Sequence, residues 1–296
     1  MGINTVTVST AANWIPTKWA KELEDAGEAW IGLSDLVDRR FEDDLTVGDV
    51  VNIPDRANPA VRFKTADTPG TYSNVTETQD TLTVNLQGYV GFLVEDIAEI
   101  QSQYAVRAEY TQAATYSLMS VVEGDLTSGL ASQPSDFSQL VGALGSDPTT
   151  DNIIRAVQYL DDGDVPETDR FFYMSPATHA SLLKQDVFVS GDYGPTGAVA
   201  TGRITKPVYG ATTHVSSLAS NNPSTSGQSY SWFCHKKGNV LAIQRGVTPH
   251  TQWENLEIGW GVVCDIIYGF DEHLILPRTL ASTTPDDRFN VGLRGP

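Results

Sequence analysis

Hydrophobic positions alternate along the segment "TLTVNLQGYVGFLVED", residues 81–96, and then recur at helical spacing. Leu82, Val84 and Leu86 stand two residues apart, which is the period of a half-buried strand. Beyond Glu95 the pattern steps by three and four through Ile97, Ile100, Tyr104, Ala108, Thr111, Thr115, Leu118, Val122 and Leu126. It predicts a strand that continues directly into a helix ending near Leu126 or Leu130, about 45 Å long at 1.5 Å per residue. No glycine-rich phosphate loop separates the two.

A long two-stranded excursion is predicted just before this strand. β-branched residues alternate over 47–53 and apolar residues alternate again over 82–86, with turn signals at Pro54-Asp55, Asn58-Pro59 and Pro69-Gly70. An isolated two-stranded ribbon has too little core to be stable in water. We therefore expect the excursion to lie on something else, which is the first indication of assembly.

The rest of the chain mixes helical and strand patterns. Residues 17–43 predict one or two short amphipathic helices, and residues 131–150 form a linker rich in Ser, Gly and Pro. Residues 149–185 predict a helix capped by Thr150 or Asp151, a buried strand "RFFYM", and a helix capped by Ser175. The polar stretch 216–229 predicts a mobile loop, and the segments after it, including "EHLILPRTLAS", are β-rich. The fold class is α+β, with distant segments sharing one sheet.

The net charge of the chain argues against some classes of function. The 296 residues carry 37 acidic and 19 basic side chains, a net charge of −18, so a sequence-reading nucleic-acid binder is not expected. The balance suits a protein that stays soluble at high concentration, or a surface that lies near DNA without adhering to it. No apolar run approaches the roughly 20 residues that cross a bilayer, and "MGINTVTVST" lacks the features of a signal peptide. We expect an intracellular protein without membrane contact.

Candidate catalytic and metal-binding patterns are weak. Ser175 and His179 stand four apart, but a serine before a proline typically begins a helix and no G-x-S-x-G surrounds it. Cys234 and His235 are adjacent on a predicted strand, so we expect a core cysteine beside a surface histidine, with Cys264 a second buried thiol. No histidines show H-x-x-x-H spacing and no nucleotide-binding glycine motif occurs. We expect no catalytic residue, cofactor or metal; a Ser175–His179 hydrolase is a remote alternative.

Basic residues cluster on the β excursion of this acidic chain. Arg56, Arg62 and Lys64 lie there beside Phe63. They could form a solvated charged edge that prevents aggregation, or a cationic arm that lies on an acidic neighbour, and we favour the second interpretation. Together with Tyr72 they are the candidate intersubunit residues.

The order of these segments resembles the major capsid proteins of tailed bacteriophages, the Hong Kong 97 type fold, and in particular the branch similar to the P22 coat protein. "VGDVVNIP" looks like the start of that family's extended loop, and "GYVGFLVEDIAEIQ" looks like its exit into the spine helix. "LDDGDVPETDRFFYMSPATHASLLKQ" is similar to the family's Leu-Asp-x-x-x-Val-Pro-x-x-x-Arg run with the strand, proline and helix that follow it. "HKKGNVLAIQRG" and "DIIYGFDEHLILPRTL" look like its late sheet segments. The resemblance spans roughly Trp14 to Leu280.

The resemblance implies a domain organisation. The expected parts are an N-terminal arm over 1–44, an extended β loop over 45–92, the spine helix with part of the peripheral domain over 93–147, an axial domain over 148–249, return strands of the peripheral domain over 250–281, and a C-terminal tail over 282–296.

It also implies a function without catalysis. We expect a structural coat protein that self-assembles as hexamers and pentamers into the icosahedral head around double-stranded DNA, after assembly in the host cytoplasm. Expected partners are further copies of the chain, a separate scaffolding protein, a portal, and DNA contacted non-specifically. Relatives that cross-link covalently use a loop lysine, but nothing around Lys64 marks a reactive site. An encapsulin-like compartment that holds a cargo enzyme is the alternative shell.

Overall fold

A computed structural model describes residues 31–46, 48–55, 61–70, 72, 78–101, 106–132, 140–143, 145–189, 202–204, 207–220, 230–272 and 289–295. Its strands are β1 Val50–Asp55, β2 Thr78–Thr83, β3 Leu86–Glu95, β4 Leu140–Val141, β5 Arg170–Met174, β6 Thr212–Val215, β7 Tyr230–His235, β8 Asn239–Glu254, β9 Gly259–Glu272 and β10 Asn290–Arg294. Its helices are α1 Leu33–Leu36, α2 Asp96–Gln101, α3 Val106–Ser132, α4 Thr150–Asp162, α5 Pro176–Leu183 and α6 Asp186–Val189. The α+β prediction is confirmed.

A five-stranded mixed sheet has the order β4-β10-β7-β5-β6. Its central strand β7 is antiparallel to both β10 and β5, while β4 and β6 are parallel to their neighbours. Strand β4, near residue 140, therefore pairs with a strand that begins at residue 290. The prediction that distant segments share one sheet is confirmed.

Both faces of this sheet are covered, which explains its unbroken apolar strands. Phe172 and Met174 of β5 belong to a cluster with residues of α4 and α5. Phe171 and Tyr173 of the same strand belong to a second cluster with residues of α3 and β9. All five residues of β5 are buried, as is typical of a strand without a solvent face.

A three-stranded antiparallel sheet, β3-β9-β8, packs on the other side of α3. Leu118, Val122 and Leu126 of α3 are almost completely buried. Strand β3 alternates in burial along its length, with its second face turned outward. Because α3 packs against only one face of this sheet, the alternating pattern of residues 81–96 is the expected signature.

The strand continues directly into a helix, as predicted, but the structure assigns two helices where one was predicted. Strand β3 ends at Glu95 and α2 begins at Asp96, with no residue between them. A second helix, α3, then begins at Val106, after residues 102–105, which lie outside the described part of the chain. Ala114 occupies the buried stripe and Thr115 is exposed, because buried positions four residues apart run 114, 118, 122 and 126.

The predicted domain division stays a prediction, although its boundary at 92/93 falls inside β3. The boundary at 249/250 falls inside β8, whose thirteen paired positions on β9 run continuously past it apart from two bulges. Residues 282–296, expected to be a tail, include β10, which lies between β4 and β7 in the five-stranded sheet. Val291 and Leu293 of β10 are buried, so this segment is core structure. The short length of β10 and the linker-like residues before it hid this strand.

The structure shifts the predicted cap of α4 and the predicted start of the polar loop. Thr149, one residue before the predicted caps, accepts the Asn152 N–H at 3.3 Å and caps α4. The polar stretch 216–229 begins with a 3₁₀ turn, Ser217–Ser220, in which Ala219 is fully buried. Its later residues, the first thirty residues of the chain and most of "EHLILPRTLAS" lie outside the described residues.

The turn between α4 and β5 is held by Arg170. Its Nε donates to the carbonyl of Pro166 at 2.8 Å, Nη2 donates to the carbonyl of Val165, and Nη1 lies 2.7 Å from Asp161. Val165 is buried in the cluster under α4. The Leu-Asp-x-x-x-Val-Pro-x-x-x-Arg run is therefore a structural clamp, in which one guanidinium supplies the donors that the turn lacks.

Replacing Arg170 with Met should lower the free energy of unfolding by about 3 kcal/mol, since the buried carbonyl of Val165 and the part-buried carbonyl of Pro166 lose their donors. The matched control is Arg155→Met, on the exposed face of α4, which should change it by less than about 0.5 kcal/mol. Denaturant unfolding of the unassembled chain measures both. Equal effects at the two positions would contradict the clamp.

Candidate intersubunit surface

The predicted excursion is a two-stranded ribbon rooted in its own chain. Strands β1 and β2 are antiparallel, with Val50 opposite Thr83 at the root and Asp55 opposite Thr78 at the far end. At the root a small apolar cluster forms, whose buried members are Leu45, Ile53, Leu82, Val84, Val240 and Ala242. The root is stable because it buries side chains on β8, and this cluster does not extend past Ile53 along β1.

Gly269 of β9 allows the ribbon to lie this close. A Cβ atom at position 269 would lie 2.7 Å from Val84 Cα and closer still to the carbonyl oxygen of Thr83. Both are backbone atoms, which cannot turn aside as a flexible side chain can. The absence of a side chain at Gly269 therefore sets how the ribbon leaves the sheet.

Gly269→Ala should lower the free energy of unfolding by about 2 kcal/mol, because the added methyl group forces the backbone of β2 away from β9. Gly91→Ala in β3 is the control, since a Cβ there would make only an ordinary 3.6 Å contact with Val263. Thermal unfolding of both variants gives the comparison. If Gly269→Ala is as stable as Gly91→Ala, the ribbon does not depend on this close approach.

The loop at the far end of the ribbon is exposed throughout its described residues. Positions 61–70 and 72 are all solvent-exposed, with Phe63 95% exposed and Tyr72 fully so. Arg62 and Lys64 flank Phe63, as the sequence predicts. Arg56 lies outside the described residues. The grouping of Arg62, Phe63, Lys64 and Tyr72 as intersubunit residues stays a prediction.

A turn shapes this loop. Thr68 donates both its backbone N–H, at 3.3 Å, and its hydroxyl, at 2.9 Å, to the carbonyl of Thr65. Asp67 between them has a positive φ of 62°, a conformation that aspartate tolerates better than most residues. The described part of the loop thus has local order although all of its residues are exposed.

The strand-to-helix junction is joined by backbone hydrogen bonding to the turn between β8 and β9. The Asp96 N–H donates to the Ile258 carbonyl at 3.1 Å, so the first turn of α2 is joined to the β8–β9 turn. A Cβ at Gly259 would lie 2.6 Å from the Val94 carbonyl oxygen, which shows how tightly the strands approach here. Close backbone contacts therefore hold the junction together.

A buried carboxylate on α3 joins this helix to two other elements. Glu123 is fully buried, and its two oxygens accept the backbone N–H groups of Gly32 and Leu33 at 3.0–3.4 Å. Tyr173 of β5 donates its hydroxyl to Glu123 Oε1 at 3.1 Å. The carboxylate thereby caps α1 and holds the segment beginning at residue 31 against α3 and the five-stranded sheet. Sequence patterning missed it, because a glutamate within a helix normally faces water.

Burial controls the ionisation of this group. Desolvation raises the pKa of Glu123 above its usual value, although the N–H groups and the tyrosine hydroxyl favour the charged form. Burial, and then the neighbouring Glu123 charge, raises the pKa of Tyr173 as well. Tyr173 therefore remains a hydrogen-bond donor throughout the range in which Glu123 titrates.

The free energy of unfolding should reveal this raised pKa. In the unfolded chain, a glutamate loses its proton near pH 4.3, roughly. The folded chain still holds the Glu123 proton at that pH, because the pKa is raised. The stability it contributes is therefore complete below that pH and is lost as pH rises through the folded pKa, with a limiting slope of about 1.4 kcal/mol per pH unit. Subtracting the pH profile of Glu123→Gln from that of the wild type isolates the effect. A flat difference would contradict the raised pKa.

Ser175 and His179 are engaged in structure. Ser175 Oγ accepts the Thr178 N–H at 3.1 Å, which confirms the predicted helix cap. His179 Nε2 accepts the Ile204 N–H at 3.2 Å, and burial, with the nearby charge of Arg203, lowers its pKa. The serine lies at the helix start and the histidine binds a different loop. The geometry favours a capping role over a nucleophile and base.

The buried cysteines are as predicted, but the neighbouring histidine is not. Cys234 and Cys264 are both buried. His235, expected at the surface, is only 2% exposed; its Nδ1 accepts the Lys237 N–H at 3.1 Å and its ring lies 5.4 Å from that of Phe289. The surface prediction is wrong because both faces of β7 are covered.

Within the part of the chain that the structure describes, no group of three or more His, Cys, Asp or Glu side chains could hold a metal ion. Over the same residues, no helix combines the length and the apolar character that crossing a membrane requires.

Comparison with known proteins relates the whole chain to phage capsids. No family model matches, and no curated protein matches. A structure from Mycobacterium phage Che8 superimposes with a TM-score of 0.77 at 21% identity, over 95% of this chain and 97% of the other. The capsid of cyanophage P-SCSP1u gives 0.74 at 15% identity, over 96% and 93%, and the capsid of Ralstonia phage GP4 gives 0.63 at 11%, over 95% and 94%.

The chain has a phage-capsid fold. The similarity extends over nearly the full length of each chain. The fold expected from the sequence resemblance is confirmed at this level.

Proposed function

We propose that the chain is a major capsid protein of Hong Kong 97 type, a structural coat protein whose hexamers and pentamers build an icosahedral head around double-stranded DNA. The observation that carries this proposal is the likeness to phage capsid structures over nearly the whole chain at TM-scores up to 0.77. The proposed location is the virion, after assembly in the host cytoplasm. The proposed domains keep the boundaries expected from the sequence, except that residues 290–294 join the five-stranded sheet, which contains β5, β6 and β7 of the axial domain.

The exposed loop supports assembly independently of that likeness. Fully exposed aromatic side chains on a ribbon that lacks a core beyond its root are a liability in an isolated protein. Burying each of Phe63 and Tyr72 against a neighbour would contribute roughly 1.5–3 kcal/mol. Repeated at every subunit, this contact stabilises a shell without any cofactor.

The charge supports the proposed contents. A chain of net charge −18 repels phosphate, so packaged DNA is contacted non-specifically and remains mobile. A separate scaffolding protein and a portal complete the proposed partners.

Electron microscopy of the purified chain, alone and co-expressed with the neighbouring genes, tests the proposal. The wild type should form uniform round shells or capsomer rings, and a variant lacking residues 56–72 should form none. A milder variant, Phe63→Ser with Tyr72→Ser, should fold normally, since both side chains are exposed, yet assemble at least about tenfold less.

Ile154→Ser is the matched control, because Ile154 is an exposed apolar residue of α4. A wild-type chain that stays monomeric or dimeric under every condition would refute the capsid proposal. Normal shells from the 56–72 deletion would refute only the role of the loop. Shells that contain a cargo protein in place of scaffold or genome would indicate the encapsulin-like alternative.

A further inference from the structure

Two buried histidines beside the five-stranded sheet hold neighbouring segments by accepting backbone N–H groups. His179 of α5 is 8% exposed, and its Nε2 accepts the N–H of Ile204 at 3.2 Å. His235 at the end of β7 is 2% exposed, and its Nδ1 accepts the N–H of Lys237 at 3.1 Å. A histidine nitrogen can accept a hydrogen bond only while it carries no proton. Both hydrogen bonds therefore require a neutral ring.

The segment that His179 holds lies beside the edge strand β6. Ile204 packs against the apolar cluster under α4, and its carbonyl accepts the hydroxyl of Thr213 on β6 at 3.0 Å. The charged group that faces the His179 ring is Arg203, which precedes Ile204 and disfavours a proton on the ring. The charged groups beyond the end of α5, Lys184 and Asp147, bind each other at 2.8 Å.

The segment that His235 holds is the 3₁₀ turn Lys236–Gly238, for which this histidine is the N-cap. Lys237 and Arg170 carry the positive charges that face the ring, and Asp169 carries the negative one. The two cations outnumber the single carboxylate. A proton on His235 would therefore be repelled as well as buried.

Burial lowers the pKa of both histidines, and the neighbouring cations lower it further. The folded chain therefore keeps both rings neutral. When a segment opens, its histidine regains an ordinary pKa of about 6.5. The stability that each hydrogen bond contributes is complete above that pH. It is lost as pH falls below that value, because the opened form binds a proton that the closed form does not.

We propose that His179 and His235 form an acid-sensitive pair of anchors, which hold residues 202–204 and 236–238 while the rings are neutral and release them on protonation. A protonated nitrogen would place one donor against another at each anchor, and each ring would add a positive charge next to a lysine or an arginine. The inference concerns the folded chain itself, so it holds whether or not the chain assembles.

The contacts around α3 respond to acid in the opposite sense. His250 of β8 is exposed, and its Nε2 lies 3.1 Å from Asp265 Oδ1, so a protonated ring forms an ion pair there. The stability that Glu123 contributes is also complete at low pH. Acid therefore loosens the two anchored segments beside the five-stranded sheet and leaves the contacts around α3 closed. In the proposed shell, only the surface formed by those segments would change with pH.

Hydrogen exchange of single amides in the unassembled full-length chain, followed by NMR, tests the anchors. The amides of Ile204 and Lys237 report the two hydrogen bonds. Rates are expressed as protection factors, which remove the direct effect of pH on the exchange reaction. The matched control is the Thr178 amide, whose acceptor is the Ser175 hydroxyl, because it lies next to His179 but has an acceptor that does not titrate.

Between about pH 7.5 and about pH 5, the protection of Ile204 and Lys237 should fall at least about tenfold, and that of Thr178 less than about twofold. Variants that keep an acceptor without titrating separate the anchors from general effects of acid. The amide oxygen stands close to the position of Nε2 in His179→Gln and of Nδ1 in His235→Asn, and asparagine is a favoured N-cap. Each variant should lose the pH dependence at its own segment and keep it at the other.

His250→Gln is the control variant, and it should keep the pH dependence at both segments. Equal protection of Ile204 and Lys237 at the two pH values in the wild type would overturn the inference. A fall that persists in His179→Gln and His235→Asn would also overturn it, since another group would then control the segments. If a variant loses protection throughout at neutral pH, the wild type decides: equal losses at Thr178, Ile204 and Lys237 contradict the anchors, and losses confined to the last two support them.

Discussion

The packing of α3 between two sheets is the constraint on which the rest of the structure depends. One cluster of buried side chains includes Leu118 and Val122 of the helix, Tyr173 and Trp232 of the five-stranded sheet, and Cys264 of the three-stranded sheet. Because both sheets bury a face against the same helix, neither can move without opening the core. The rigid body that results can support a ribbon whose far-end residues, over 61–70 and 72, are all exposed.

Two buried ionisable side chains join elements within this body by hydrogen bonds. Glu123 holds the segment at residue 31 to the helix, and Arg170 closes the turn before β5. Hydrogen bonds from or to several polar groups offset the cost of burying each of these side chains. Each side chain lies where a backbone segment has donors or acceptors without a backbone partner. These groups are structural, and the surface proposed for assembly lies at the ribbon.

The candidate site was predictable in part. The basic residues and aromatic side chains of the loop stand out in the sequence, because the rest of the chain is acidic. The exposure of Ile97 and Ile100 was not predictable, because they continue the helical stripe that includes Leu118 and Leu126. Only the structure separates the exposed isoleucines of α2 from the buried residues of α3. The buried Glu123 gave no sequence signal, since its partners are backbone N–H groups ninety residues away.

By itself, the sequence determined the local elements: the alternating strand, its continuation into a helix, the serine cap before Pro176 and the α+β class. These depend on periodicity and on neighbours a few residues apart. The tertiary structure decided which faces are buried: it made His235 a core residue, placed β10 at the centre of a sheet, and brought the ribbon over Gly269. These features depend on contacts between distant segments, and the free energy of such contacts is set by packing that no local pattern records.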